Sequence, residues 1–183
     1  MRWNCLVGAL VVAFCAAGAS SASAQANAGV GFTNGYTDVG PVIGLGNLGG
    51  ASVSVGGRFE HGFKDLPDLA NGILGIQVGI NYYHWNYDSY GSDYGITYIP
   101  IAVTANYHFR LENRKIDPFL GLGLGYQSVS ASNCPGCGHS SAAYFVGRAG
   151  IRYFFSPSMA FYGDAGAGDA ALNVGLMFKI SDR

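Results

Sequence analysis

The chain has 183 residues, enough for one domain with its own core, and its 10 basic and 11 acidic residues nearly balance. This balance, without any run of like charges, excludes the basic surface that nucleic acids require. Charged residues make up only 11% of the chain, against about 25% in an average soluble domain, whereas glycine, tyrosine and phenylalanine number 29, 12 and 11.

The N-terminus is typical of a secretory signal peptide. Arg2 supplies the positive charge, and Leu6–Ala19 is an apolar segment too short to cross a bilayer. Ala22-Ser23-Ala24 has the small residues of a cleavage site. We therefore predict a signal peptide over residues 1–24, removed on export.

The next residues are small, polar and rich in glycine. We interpret residues 25–38 as a periplasmic lead-in, in which Asn34-Gly35 has the sequence of a tight turn. Residues 39–183 are predicted to form the folded domain, with its first strand starting at Val39.

From Val39 onwards, apolar residues alternate with small or polar ones, which is the period of a β-strand. In Ile99–Phe109 every second residue is apolar and the residues between are small or polar. Turn sequences separate the alternating segments, including a polar and aromatic stretch over Tyr83–Asp93 that is predicted as a loop. The eight predicted strands are Val39–Gly46, Ala51–Phe63, Gly72–Tyr87, Tyr94–Arg110, Asp117–Ser130, Ala142–Phe155, Met159–Gly166 and Leu172–Ile180.

A β-barrel that spans a membrane best explains these strands. Beyond the signal peptide, no stretch reaches the roughly 18 apolar residues of a transmembrane helix. An even number of strands closes an antiparallel barrel with both termini on the periplasmic side. We predict an all-β protein, an eight-stranded antiparallel up-and-down transmembrane β-barrel. A soluble secreted ligand-binding barrel is the alternative, and it would need a partner to cover its apolar outer surface.

The predicted inward face is rich in small residues, which leaves room for a few long charged ones. Because buried charge is costly unless paired, we expect these side chains to form a network in the lumen. Such a network either plugs the barrel or lines a narrow pore, and its excess of basic residues could bind a small anion. Its predicted members are Arg58, Glu60, His108, Arg148, Arg152, Asp164 and Lys179.

The predicted outward face collects aromatic residues near strand ends, as the girdles of membrane barrels do. Seven lie near the turns predicted to be periplasmic, and three lie near the opposite ends. The predicted girdle residues are Tyr107, Phe109, Phe119, Tyr153, Phe155, Phe161 and Phe178, and then Tyr82, Tyr98 and Tyr126.

Two cysteines, Cys134 and Cys137, lie in a predicted loop. In an exported protein the simplest interpretation is a disulfide across this short ring. A thioredoxin-like redox site would need a βαβ setting, which the strands do not provide. Metal binding with His139 would lack a fourth ligand, so we predict no metal site and no cofactor.

The strand–turn–strand unit supports a more specific comparison. Tyr107-His108-Phe109 before a charged turn, followed by Asp117-Pro118-Phe119-Leu120-Gly121-Leu122-Gly123-Leu124-Gly125-Tyr126, resembles the small outer-membrane β-barrel protein family of the OmpA, OmpX and OmpW type. The resemblance covers Val39–Ile180. It implies a monomer in the cell outer membrane, in contact with lipid and inserted by the barrel-assembly machinery.

The resemblance implies no catalytic residues, since such barrels serve as adhesins, anchors, narrow pores and lipid enzymes. We expect a structural or surface-interaction role, or a narrow pore for small solutes. The alternative is a lipid-active enzyme: His139 and Ser141 form an H-x-S pair similar to that of lipid A deacylases. Such a pair needs a carboxylate to orient the histidine, and none follows until Asp164.

Overall fold

The protein's structure, a computed structural model, describes residues 31–89, 92–132 and 140–182. Each strand pairs antiparallel with the next along the chain, and the last pairs with the first, so the sheet is a closed barrel. This confirms the predicted fold class. The strands are β1 Tyr36–Leu45, β2 Val53–Leu66, β3 Gly72–Ser89, β4 Ser92–His108, β5 Ile116–Ser132, β6 Ala142–Ser156, β7 Met159–Ala167 and β8 Leu172–Asp182.

The up-and-down order gives the barrel two different ends. Both ends of the barrel sequence lie at one end, together with the β2–β3, β4–β5 and β6–β7 connections. We call this the terminal end, and the other the opposite end. Among the described residues, no helix is long and apolar enough to cross a membrane.

Strand β1 begins earlier than the sequence predicts. It starts at Tyr36 rather than Val39, and Thr37 pairs with His61 of β2 and with Ser181 of β8. The predicted turn at Asn34-Gly35 is present, with the Tyr36 amide donating to the Thr33 carbonyl at 3.0 Å. The local pattern does not reveal this start, because Thr37 and Asp38 are polar and their backbone partners on the closing side come from β8, far away in the sequence.

The predicted loop Tyr83–Asp93 is also wrong. Strand β3 continues to Ser89 and β4 begins at Ser92, so the two strands extend as a long hairpin at the opposite end. The ladder holds because alternation continues: Tyr83 pairs with Tyr98, and the two rings stack 5.1 Å apart with 2° between their planes.

The two faces of the barrel differ sharply. On β4, the side chains of Asn106 and His108 are each 1% exposed, while Ile101 and Val103 are 46% and 49% exposed. The inward side chains that are apolar pack in three separate clusters, one at each end and one between them. Apolar clusters and buried charged side chains therefore share the barrel interior.

Candidate functional site: the charged lumen

A buried carboxylate, Glu60 on β2, organises the half of the lumen nearer the terminal end. Its two oxygens face four groups from other strands, and the residue is fully buried. Asn106 and Gln77 each donate an amide hydrogen at 2.8 Å, Nε2 of His108 lies at 2.8 Å, and Nη2 of Arg152 forms an ion pair. These contacts join β2, β3, β4 and β6 across the barrel.

Space for this carboxylate depends on a glycine. A side chain at Gly75 would collide with Oε1 of Glu60 and crowd the ring of Phe32. Glycine at this position therefore lets a charged group and an aromatic ring lie close to the barrel wall.

Two further carboxylates belong to the same cluster, and the sequence analysis did not include them. Nη1 of Arg152 lies 3.7 Å from an oxygen of Asp38 and 3.7 Å from an oxygen of Asp117. Asp117 also lies 2.9 Å from Nδ1 of His108. The alternation of its predicted strand places Asp117 with the inward residues, which is a signal in the sequence. The register that sets Asp38 opposite Glu60 and Asp117 opposite Arg152 comes from the structure.

His108 lies between two carboxylates, Glu60 on one ring nitrogen and Asp117 on the other. An ionised carboxylate only accepts hydrogen bonds, so both contacts are satisfied when both nitrogens carry a hydrogen. The cationic form of His108 fits this position, where it adds a second positive charge to that of Arg152.

A second charged cluster lies nearer the opposite end. Arg148 donates from Nε to Oδ1 of Asp164 at 2.6 Å, and its Nη1 lies 3.8 Å from Asp169. Arg58 reaches the same Asp169 with Nη2 at 3.6 Å. Asn81 also donates to the Asp169 carboxylate. Asp169 lies in the connection between β7 and β8, where the sequence analysis predicted only a turn.

These carboxylates change the charge balance of the lumen. The predicted excess of basic residues is wrong, because Asp38, Asp117 and Asp169 also point inward. In the second cluster two arginines face two aspartates, so the charges cancel. Lys179 lies directly opposite Asp38 in the β1–β8 ladder at the terminal end, with Nζ 5.5 Å from the ring centroid of Tyr36.

A small cavity lies among the side chains of the lumen. A cavity of about 20 Å³ lies beside the second cluster, lined in part by Arg58, Gln77, Thr104 and Arg148. This is about the volume that one water molecule needs. The hydroxyl of Thr104 is buried there without a hydrogen-bond partner in the protein.

Aromatic side chains close the lumen at both ends. At the terminal end, Phe32 precedes β1 and stacks on His108 with ring centroids 3.8 Å apart. The guanidinium of Arg152 lies 4.8 Å from the same Phe32 ring. At the opposite end, Trp85 stacks on Tyr98 at 4.9 Å, against the buried Leu48.

Two predicted girdle residues are therefore misplaced. Phe119 is 2% exposed and packs inside the barrel, with its ring centroid 5.3 Å from that of His108. Tyr98 also faces inward, in the stack with Tyr83 and Trp85. Aromatic character alone did not separate a lipid-facing ring from one that fills the lumen, although the alternation of each strand places both with the inward residues.

The other eight predicted girdle residues lie on outward positions of their strands or at a strand end. Tyr107 contacts Phe109 and Phe155 contacts Phe161, with ring centroids 4.9 Å and 4.8 Å apart, near two connections of the terminal end. The outward set comprises Tyr82, Tyr107, Phe109, Tyr126, Tyr153, Phe155, Phe161 and Phe178.

Several sequence predictions fall on residues that the structure does not describe. Cys134, Cys137 and His139 lie outside the described residues, and so does the predicted signal peptide. Ser141 is described and exposed, and its hydroxyl accepts a hydrogen bond from the Val129 amide at 3.1 Å. Within the described ranges, no three His, Cys, Asp or Glu side chains are arranged to hold a metal ion.

Apolar side chains outside and paired charges inside a closed eight-stranded barrel define a transmembrane β-barrel. Residues 7–179 match the family described as the outer membrane protein beta-barrel domain. The chain belongs to this family, which confirms the resemblance inferred from the sequence and places the protein in the cell outer membrane. No curated protein matches the chain.

Solved structures with the same fold support this assignment. OprG from Pseudomonas aeruginosa is similar with a TM-score of 0.56 at 14% identity, covering 83% of this chain and 99% of that one. The attachment invasion locus protein Ail of Yersinia pestis, solved with the heparin analogue sucrose octasulfate, gives 0.51 at 15% identity, covering 80% and 96%. A de novo designed transmembrane β-barrel gives 0.52 at 17%, covering 82% and 100%. At these identities the likeness shows the fold alone.

Proposed function

We propose that this protein is a non-conducting outer-membrane barrel with a structural or surface-interaction role. The filled lumen is the observation that supports this proposal most directly. Ion pairs span the barrel between β2 and β6, and the cavity beside them measures about 20 Å³. A hydrated ion needs a continuous path through the lumen, and ion pairs that cross the lumen obstruct such a path.

A surface role is supported by the strands at the opposite end. The outward apolar residues of β3 and β4 end at Tyr82 and Ile99, and the next outward positions are polar. His84 lies 3.0 Å from the Thr97 hydroxyl and 3.0 Å from the Asn86 amide oxygen. These polar side chains lie beyond the apolar outward residues of the two strands, at the level of water and lipid headgroups.

The partner of such a surface is constrained by charge. The connections at the opposite end, residues 46–52, 90–91, 133–141 and 168–171, contain neither lysine nor arginine. A polyanion such as a sulfated sugar would find no lysine or arginine there. We therefore propose a neutral, polar partner for this end, in contrast to the sulfated analogue bound by Ail.

Planar bilayer recordings test the role of the lumen. Purified protein, folded in detergent and added to a bilayer, should give no discrete conductance steps above the lipid background. Steps of reproducible size would overturn the non-conducting role and favour the narrow pore. Extraction of the protein from membranes by buffer alone would instead favour a soluble secreted barrel.

The lipid-enzyme alternative has its own test. Lipid A from cells that express the protein should keep the acyl chains of lipid A from control cells. Loss of an acyl chain that depends on Ser141 would identify an enzyme and contradict the proposed role.

A further inference from the structure

Asp169 differs from the other lumen carboxylates because it does not come from a strand. It lies in the four-residue connection 168–171 between β7 and β8, yet its side chain is only 11% exposed. The connection folds into the opposite end of the barrel. Its backbone is held by Asn47, whose side-chain amide donates to the Asp169 carbonyl at 3.1 Å.

Three side chains from other strands surround this carboxylate. Nη2 of Arg58 lies 3.6 Å from Oδ2, Nη1 of Arg148 lies 3.8 Å from Oδ1, and the Asn81 amide donates to Oδ2. Each of the three side chains sits on a barrel strand. The Asn81 amide hydrogen-bonds to the carboxylate and the two guanidinium groups lie at ion-pair distance from it, so two positive charges and one donor converge on a single carboxylate.

The need for an anion at this position is strongest for Arg58. Within the described ranges, Asp169 is the only carboxylate within 4 Å of the Arg58 guanidinium, whereas Arg148 is also paired with Asp164. Arg58 is 6% exposed, so its charge would lie nearly unpaired in the barrel interior without Asp169. The adjoining cavity, with the unpartnered Thr104 hydroxyl on its wall, leaves some room beside the carboxylate.

We propose that Arg58, Arg148 and Asn81 form a binding site for a small carboxylate or similar oxyanion, which Asp169 occupies as a tethered ligand. The same connection packs into the opposite end of the lumen. The Ala170 carbonyl accepts a hydrogen bond from Nη1 of Arg148 at 2.5 Å, and the Ala170 methyl packs with Leu48 and Tyr83. Binding of the Asp169 carboxylate thus fixes the β7–β8 connection at the opposite end of the lumen.

Chemical rescue tests this site in the full chain. D169A removes the tethered carboxylate and leaves a space that formate fills, whereas pivalate is too bulky. We expect D169A to lower the midpoint of the heat-modifiable mobility transition, and 0.1 M sodium formate to restore at least half of that loss. Sodium pivalate at the same concentration should restore none of it, because it screens charge equally but does not fit.

Two further variants make the result specific. D68A removes an exposed carboxylate in the β2–β3 connection and should respond equally to formate and pivalate, as the unaltered protein should. D169N keeps the site filled with an amide, so it should lose less stability than D169A and gain nothing from formate. If formate rescues D169N as strongly as D169A, the proposed binding site is overturned.

The remaining outcomes are also decisive. Equal effects of formate and pivalate on D169A would show charge screening alone and would overturn the proposal. If D169A does not fold in buffer, its refolding yield replaces the midpoint: a higher yield in formate supports the site, and equal yields contradict it. This experiment is independent of the bilayer recordings, since a binding site can exist whether or not the unaltered barrel conducts.

Discussion

The strongest test of the lumen cluster is the pair formed by Arg152 on β6 and Glu60 on β2. Both residues are fully buried, and the Arg152 guanidinium also lies 3.7 Å from Asp38 and from Asp117. Arg152→Met keeps most of the volume but removes the guanidinium that lies among three carboxylates. Removing one partner of a buried ion pair lowers the free energy of unfolding by about 3–5 kcal/mol.

Glu60→Gln is the complementary change. It removes one negative charge and turns one oxygen into a donor that faces the donors of Gln77, Asn106 or Arg152. We expect a smaller loss, about 3 kcal/mol, because Arg152 still has two carboxylates near it. The double variant should lose less than the two single losses together, with a coupling of about 1–3 kcal/mol.

Urea unfolding of the protein in lipid vesicles, followed by the fraction of folded species on unheated gels, measures these free energies. Arg110→Met is the matched control, because Arg110 pairs with Asp65 at 3.1 Å but the side chains are 31% and 48% exposed. That surface pair should contribute about 0–1 kcal/mol. Losses for Arg152→Met and Glu60→Gln that simply add, within about 0.5 kcal/mol, would refute a coupled cluster.

Two other predictions concern the outer surface and the loop cysteines. Leu122, 74% exposed on the outward face of β5, should face lipid, so Leu122→Arg should destabilise the folded barrel by about 2–4 kcal/mol in vesicle unfolding. Ser128→Arg, on the same face but beyond Tyr126, should cost about 0–1 kcal/mol, and equal losses for the two variants would contradict the position of the apolar band. Cys137→Ser should leave assembly intact and cost at most about 2 kcal/mol, since the predicted disulfide closes a very short ring. Thiol labelling of the unaltered protein without reductant checks the disulfide itself. Loss of assembly in the variant would show that Cys137 has a role beyond a loop disulfide.

Strand alternation determined much of this protein from the sequence alone. Period-two patterns placed the eight strands, the apolar side of Ile99–Phe109 and the inward position of Arg58, Glu60 and Arg152. These features are local, because successive side chains of a strand point to opposite faces whatever the rest of the chain does.

Local patterns misled where the two faces use similar residues. Phe119 and Tyr98 were predicted to face lipid, although their parity places them in the lumen, because aromatic rings both anchor a barrel in the membrane and fill its interior. Likewise, polar sequence is typical of loops both at the start of β1 and in the long β3–β4 hairpin. The start of β1 gains a backbone partner when the barrel closes on β8, whereas β3 and β4 pair with each other.

Only the tertiary structure decided which charges meet. Glu60 and Arg152 are separated by 92 residues, and they meet because a closed barrel brings β2 and β6 to opposite walls of one narrow lumen. Asp169, in a connection rather than a strand, carries no periodic signal at all. It reaches Arg58 and Arg148 because the β7–β8 connection folds inward, and the sequence pattern of a turn does not specify into which space the turn will point.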